Sequence, residues 1–228
     1  MKTFADRIIA FNGQLDFSGR LPKGIAIMNP FKNKRTLAIS TAFYEKYYKD
    51  HNQRRLILGI NPGRFGAGIT GIPFTDPKRV IENCGLPFTG EITHEPSSVF
   101  IYEMIQAFGG PADFYRKFYI SSVCPLGFTA IGKKGNPINH NYYDSRELIN
   151  SVYDFILKNI QEQISFGVDR EILYCFGKGK NERFIRRLNE EKNFFKKIVA
   201  LEHPRYIMQY KSKNKKSYIH KYLSAFNS

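Results

Sequence analysis

Two segments of this sequence combine residue types that could do chemistry. The first is Gly59-Ile60-Asn61-Pro62-Gly63-Arg64-Phe65-Gly66-Ala67-Gly68-Ile69-Thr70-Gly71-Ile72-Pro73-Phe74, which holds five glycines and two prolines. Glycines let backbone approach a ligand closely, and prolines stiffen the turn that presents it. A phosphate cradle is one use for such a turn, but the closing Gly-Lys-Ser/Thr of a P-loop is missing. An ordinary strand-to-helix turn is the plain alternative, although this one is long and rigid for that purpose. The second segment is His203-Pro204-Arg205, where a lone histidine at a strand end is more often structural than catalytic. Gly177-Lys178-Gly179-Lys180 is a weaker signal, a turn whose amides could bind phosphate at a helix start.

These segments need a scaffold, and apolar periodicity supplies one. The run Arg55 to Ile60 reads as a buried strand that Asn61-Pro62-Gly63 stops. Phe118–Val123, Glu171–Phe176 and Lys197–Leu201 read as three further strands. Helices are expected around Phe4-Ile8-Ile9, through Phe43–Tyr48, over Ser97–Phe108 and from Asp144 onward, where Asp144 and Glu147 form a capping-box pattern. Two more follow through Phe184-Ile185-Leu188 and over Ser217–Phe226, while Gly132–Pro137 is expected to be loop. Alternation of this kind predicts a parallel α/β sheet with right-handed crossovers. The segments starting at Asn61, Pro125, Gly177 and His203 then gather at the carboxyl ends of the strands, where such sheets bind ligands.

Composition narrows the partners. The chain has 228 residues, enough for one well-buried domain spanning 1–228, with no repeat or low-complexity linker. Lys and Arg number 35 against 20 Asp and Glu, a formal charge of +15 that attracts polyanions. Tyrosines interleave with lysines near the C-terminus, suiting base stacking beside backbone contact. Cys84, Cys124 and Cys175 are odd in number and far apart, so neither a disulfide framework nor a metal site is expected. No secretory signal or membrane span is read, and a cytosolic location follows.

The glycine–proline segment resembles motif one of the single-strand-selective monofunctional uracil-DNA glycosylases, Gly-Met-Asn-Pro-Gly-Pro-Phe-Gly and then Thr-Gly-Val-Pro-Phe. Here Gly59 to Gly66 and Thr70 to Phe74 match at the same spacing. Weaker echoes follow in order: Ile27-Met28-Asn29-Pro30, Cys124-Pro125-Leu126, Phe176-Gly177-Lys178-Gly179 and His203-Pro204. The resemblance implies a three-layer α/β/α fold with a central four-stranded parallel sheet and a monofunctional DNA glycosylase without cofactor or metal. Asn61 then holds the attacking water, and His203 donates to the base oxygen that gains charge. Ile60, Gly63 and Phe74 contact the extruded base, with the Phe74 ring on its face.

Two departures from the family pattern matter. Ser122 stands where the family reads the pyrimidine edge with Asn, so a purine such as xanthine or hypoxanthine competes with uracil as the substrate. The loop expected after His203, which in the family wedges into the opened stack, carries Arg205, Tyr206 and Met208 as wedge candidates. Lys133, Lys134, Lys211, Lys213, Lys215 and Lys216 are expected phosphate contacts, positioning without sequence specificity. The partner is therefore DNA, single- or double-stranded, bound by a monomer. A protein of the same fold that binds nucleic acid but has lost excision is the alternative. A small-nucleotide enzyme is the third reading, disfavoured because no phosphate motif is complete.

Overall fold

The computed structural model describes residues 1–227. In chain order its elements are α1 (Phe4–Gln14), β1 (Ile25–Met28), α2 (Lys34–Tyr48), β2 (Arg54–Gly59), α3 (Ala67–Thr70), α4 (Pro77–Glu82), α5 (Pro96–Phe108) and α6 (Pro111–Lys117). There follow β3 (Phe118–Ser122), β4 (Gly127–Ile131), β5 (Pro137–His140), α7 (Arg146–Ile164), β6 (Val168–Phe176), α8 (Lys180–Lys192), β7 (Lys197–Leu201), α9 (Pro204–Tyr210) and α10 (Lys215–Phe226).

The central sheet runs β3-β2-β6-β7 and all its pairs are parallel. Leu56, Ile57 and Leu58 of β2 have no exposed surface, as befits a strand covered on both faces. On one face the rings of Phe118 and Tyr174 pack against Phe226 of α10. On the other, Tyr119 meets Phe4 of α1 edge-on at 5.4 Å. Helices thus cover both sides, giving the α/β/α layering the sequence predicts.

A second sheet was not foreseen. Strands β1, β4 and β5 pair antiparallel in the order β1-β4-β5. The stretch expected to be loop is only partly so: Gly132–Asn136 turns a hairpin, and Pro137 already begins β5. The helix after Asp144 exists, but its cap is Ser145, whose hydroxyl accepts from the Leu148 amide at 3.1 Å. Asp144 instead accepts from the Asn141 amide at 2.8 Å and so closes the turn before the helix. The segment after His203 is likewise a helix, α9, rather than a wedge loop. His203 caps it and Pro204 occupies its first turn, where a missing N–H costs nothing.

Candidate active site

The site is built where β2, β3 and β7 end. Parallel pairing continues past Ser122, because the amides of Val123 and Cys124 donate to the carbonyls of Gly59 and Ile60 at 3.0 and 3.1 Å. This stitches the glycine–proline turn to the end of β3. A cavity of about 220 Å³ opens there, and Asn61, Phe74, Ser122 and His203 all line it.

Asn61 is held at both ends of its amide. Its Nδ2 donates to the His140 carbonyl at 3.2 Å, and its Oδ1 accepts from the Tyr142 amide at 3.1 Å. The unforeseen hairpin therefore clamps this side chain in one orientation. One lone pair of Oδ1 remains free to accept a further hydrogen bond.

Phe74 adopts a left-handed backbone, φ 53°, a region that a bulky residue enters only under constraint. The constraint comes from Thr70, whose hydroxyl donates to the Thr75 carbonyl at 2.6 Å while accepting from the Ile72 amide at 3.1 Å. Gly59 makes room for the ring, since a Cβ there would stand 2.9 Å from it. The Phe74 ring packs against Phe176 and, at 5.5 Å and 49°, against His203.

His203 accepts from the Arg205 amide through Nδ1 at 3.1 Å. A neutral imidazole with Nδ1 accepting carries its proton on Nε2. Burial, helped by the Arg205 guanidinium, pushes its pKa down to about 3, so the ring is neutral near pH 7. What the cavity holds at this point is an uncharged N–H donor.

Ile60, Gly63, Arg205 and Tyr206 also line this cavity. Tyr206 and Tyr210 form an exposed ring pair, 5.4 Å apart, at its mouth. Met208 does not line it: the helical path of α9 leaves this side chain partly buried against the core. Lys133 and Lys134 sit at the exposed tip of the β4–β5 hairpin, and Lys211 and Lys213 are exposed beyond α9. Lys215 is engaged with Glu103 at 2.6 Å. Lys178 of the glycine–lysine turn pairs with Glu202 at 3.1 Å and stays outside the cavity. Among the described residues no cluster suits a metal ion.

Sequence reasoning missed several cavity residues: Glu95, Asn141, Tyr143 and Gln209. Nothing in their local sequence marks them. They arrive through the start of α5, the turn before α7 and the helical twist of α9.

Comparisons with known proteins agree with this geometry. The family model described as the uracil DNA glycosylase superfamily matches residues 45–227. A crystal structure of wild-type Pedobacter heparinus SMUG2 is similar at a TM-score of 0.97, with 58% identity over 100% of this chain and 98% of that one. A search of curated proteins found no match. With the family model spanning most of the chain and the likeness reaching both termini, this chain belongs to the uracil DNA glycosylase superfamily.

Proposed function

We propose that this protein is a monofunctional DNA glycosylase that hydrolyses the N-glycosidic bond of uracil, or of a related deaminated base such as xanthine or hypoxanthine, in DNA. One observation carries the reading: a clamped amide, an aromatic face and a neutral N–H donor surround a single cavity at the end of a parallel sheet.

The chemistry follows from the charges that develop. Breaking the bond leaves positive charge on the sugar and negative charge on the departing base. A base inside a duplex is out of reach, so it is flipped into the cavity at a cost of a few kcal/mol. Its face lies on Phe74, and its charged oxygen accepts from Nε2–H of His203. Such a preorganised donor in a dry pocket is worth about 2.7–4 kcal/mol. Asn61 cannot take up a proton near neutrality, so its free Oδ1 lone pair orients water toward C1′. No lysine among the described residues lines the cavity, so a Schiff-base lyase step has no nucleophile there.

Ser122 faces the cavity with a hydroxyl that donates and accepts by rotation, tolerating more than one base edge. Arg205 and Tyr206 at the mouth fill the gap left by the flipped base, the Tyr210 ring backing Tyr206. Lys133, Lys134, Lys211 and Lys213 contact phosphates on either side. The protein acts as a single-domain monomer without cofactor in the cytosol or nucleoid. No helix among the described residues is long and apolar enough to cross a membrane.

An alkali-gel assay tests the reading. Oligonucleotides carrying one uracil, xanthine or hypoxanthine are incubated with the protein and heated in base. Strand cleavage at the lesion is expected for at least one of them. Cleavage of none, with salt-sensitive DNA binding retained, would replace this reading with a binding protein of the same fold.

A further inference from the structure

The cavity contains one carboxylate, and the chemistry above gives it no task. Glu95 lines the cavity together with Asn61 and Arg205 and precedes α5. A carboxylate offers about four acceptor sites. Among the described residues the Glu95 side chain makes one hydrogen bond, a long 3.4 Å contact from the Ser98 hydroxyl. The carboxylate is half-buried and keeps most of its acceptor capacity open to water or a ligand in the cavity.

The glycines of the turn make its berth. A Cβ on Gly63 would stand 3.0 Å from Glu95 Oε1 and 3.5 Å from Arg205 Nη2. A Cβ on Gly66 would overlap the carboxylate outright. Two glycines of the segment that carries Asn61 are therefore what lets Glu95 lie against the backbone of that turn.

Resting on the glycosylase reading, we infer that Glu95 is a further catalytic residue, the base that takes the proton of the attacking water. The C1′–N bond breaks and its electron pair leaves with the base, held by His203. The water oxygen, oriented by Asn61, bonds to C1′, and its proton passes to the Glu95 carboxylate. Until then the carboxylate's negative charge lies beside the positive sugar. Proton transfer of this kind contributes about 100-fold or more.

The surroundings suit such a group. Burial raises its pKa, as does Asp76 ahead of α4, while Arg205 from α9 and the Ser98 hydroxyl on α5 hold it down. Asp76 is itself paired with Arg79 at 3.3 Å, and the His94 ring lies 3.8 Å from it. Tyr143 and the neutral His203 complete the cavity wall.

The test is single-turnover excision across pH 5–8, with DNA binding and thermal unfolding measured in parallel. Wild-type rates should fall on the acid side as Glu95 protonates. Glu95→Gln should be about 100-fold slower at neutral pH and lose that limb, with equal or higher thermal stability. Gly66→Ala, which displaces the flexible carboxylate rather than the backbone, should be slowed similarly while binding DNA normally. With wild-type excising its base, a Glu95→Gln variant of unchanged rate and pH profile overturns the role of Glu95 alone. A slower variant that has lost only DNA affinity or stability does the same. Absence of excision by the wild-type protein removes both readings.

Discussion

Strand β2 carries a buried polar side chain at its start and a half-buried one just past its end, and the two are treated in opposite ways. Arg54 is wholly buried at the amino end, and its five donor N–H groups are all engaged. It donates twice to Asp50 at 2.8 Å and to the carbonyls of Tyr115, Asn52 and Tyr47. Its guanidinium also lies over the rings of Phe4 and Tyr48, 4.8 and 4.7 Å from their centres. At the carboxyl end Asn61 keeps a lone pair, His203 keeps its Nε2–H, and Glu95 keeps most of its acceptor capacity. The same sheet thus has a saturated end that holds the fold and an unsaturated end prepared for a ligand. Polar groups without partners, more than polar groups as such, mark the functional end.

Mutations should split along that line. The largest loss is expected at His203, where His203→Ala removes the donor to the leaving base. Excision should fall about 100- to 1,000-fold with DNA binding nearly unchanged, as single-turnover rates and filter binding would reveal. The histidine also makes a pH statement. Its pKa is about 3 in the folded protein against an ordinary value of 6.5, so below pH 6.5 the unfolded chain binds the proton first. Its contribution to stability is present above pH 6.5 and lost as the pH falls toward 3. His203→Gln should flatten that portion of a Tm-against-pH curve, and an unaltered curve would contradict the neutral assignment.

Asn61→Ala should cost about 100-fold in excision, because the water loses its orientation. It also cuts the clasp to the β5 hairpin, so some loss of Tm should accompany it. At the saturated end the pattern inverts. Arg54→Met should destabilise the fold by about 3–5 kcal/mol, since Asp50 and three carbonyls lose their donor. Rates per folded molecule should stay at the wild-type level. A clear loss of specific activity there would erase the contrast between the two ends. The smallest effect is one of preference: Ser122→Asn should move the ratio of uracil to hypoxanthine excision by about 10-fold toward uracil. An unchanged ratio would remove Ser122 as the base reader.

How legible these regions were depended on burial. Strand β2 and its turn stood out because a strand covered on both faces reads as a continuous apolar run, and Asn61-Pro62-Gly63 ends it sharply. The β4–β5 hairpin gave no such signal. Its strands are short and neither alternates buried with exposed positions, Phe128 being buried while Ile131 is exposed at 68% and Ile138 at 45%. That omission mattered, because the hairpin clamps Asn61. Helix α9 could have been found, as a capping residue followed by Pro204 is a helix-start signal. Its helical path leaves Met208 partly buried against the core and out of the cavity lining. Glu95 carried no local signal at all. Its significance comes from where Gly63 and Gly66 let it rest, which is a property of packing across distant segments.

The central claim is that one cavity receives a nucleobase between Phe74 and His203, and a crystal structure with bound uracil or xanthine tests it most directly. The account predicts the heterocycle lying on the Phe74 ring, with an exocyclic oxygen about 3 Å from His203 Nε2 and its edge toward Ser122. A base bound elsewhere, or bound in this cavity with His203 Nε2 turned away from it, would contradict it.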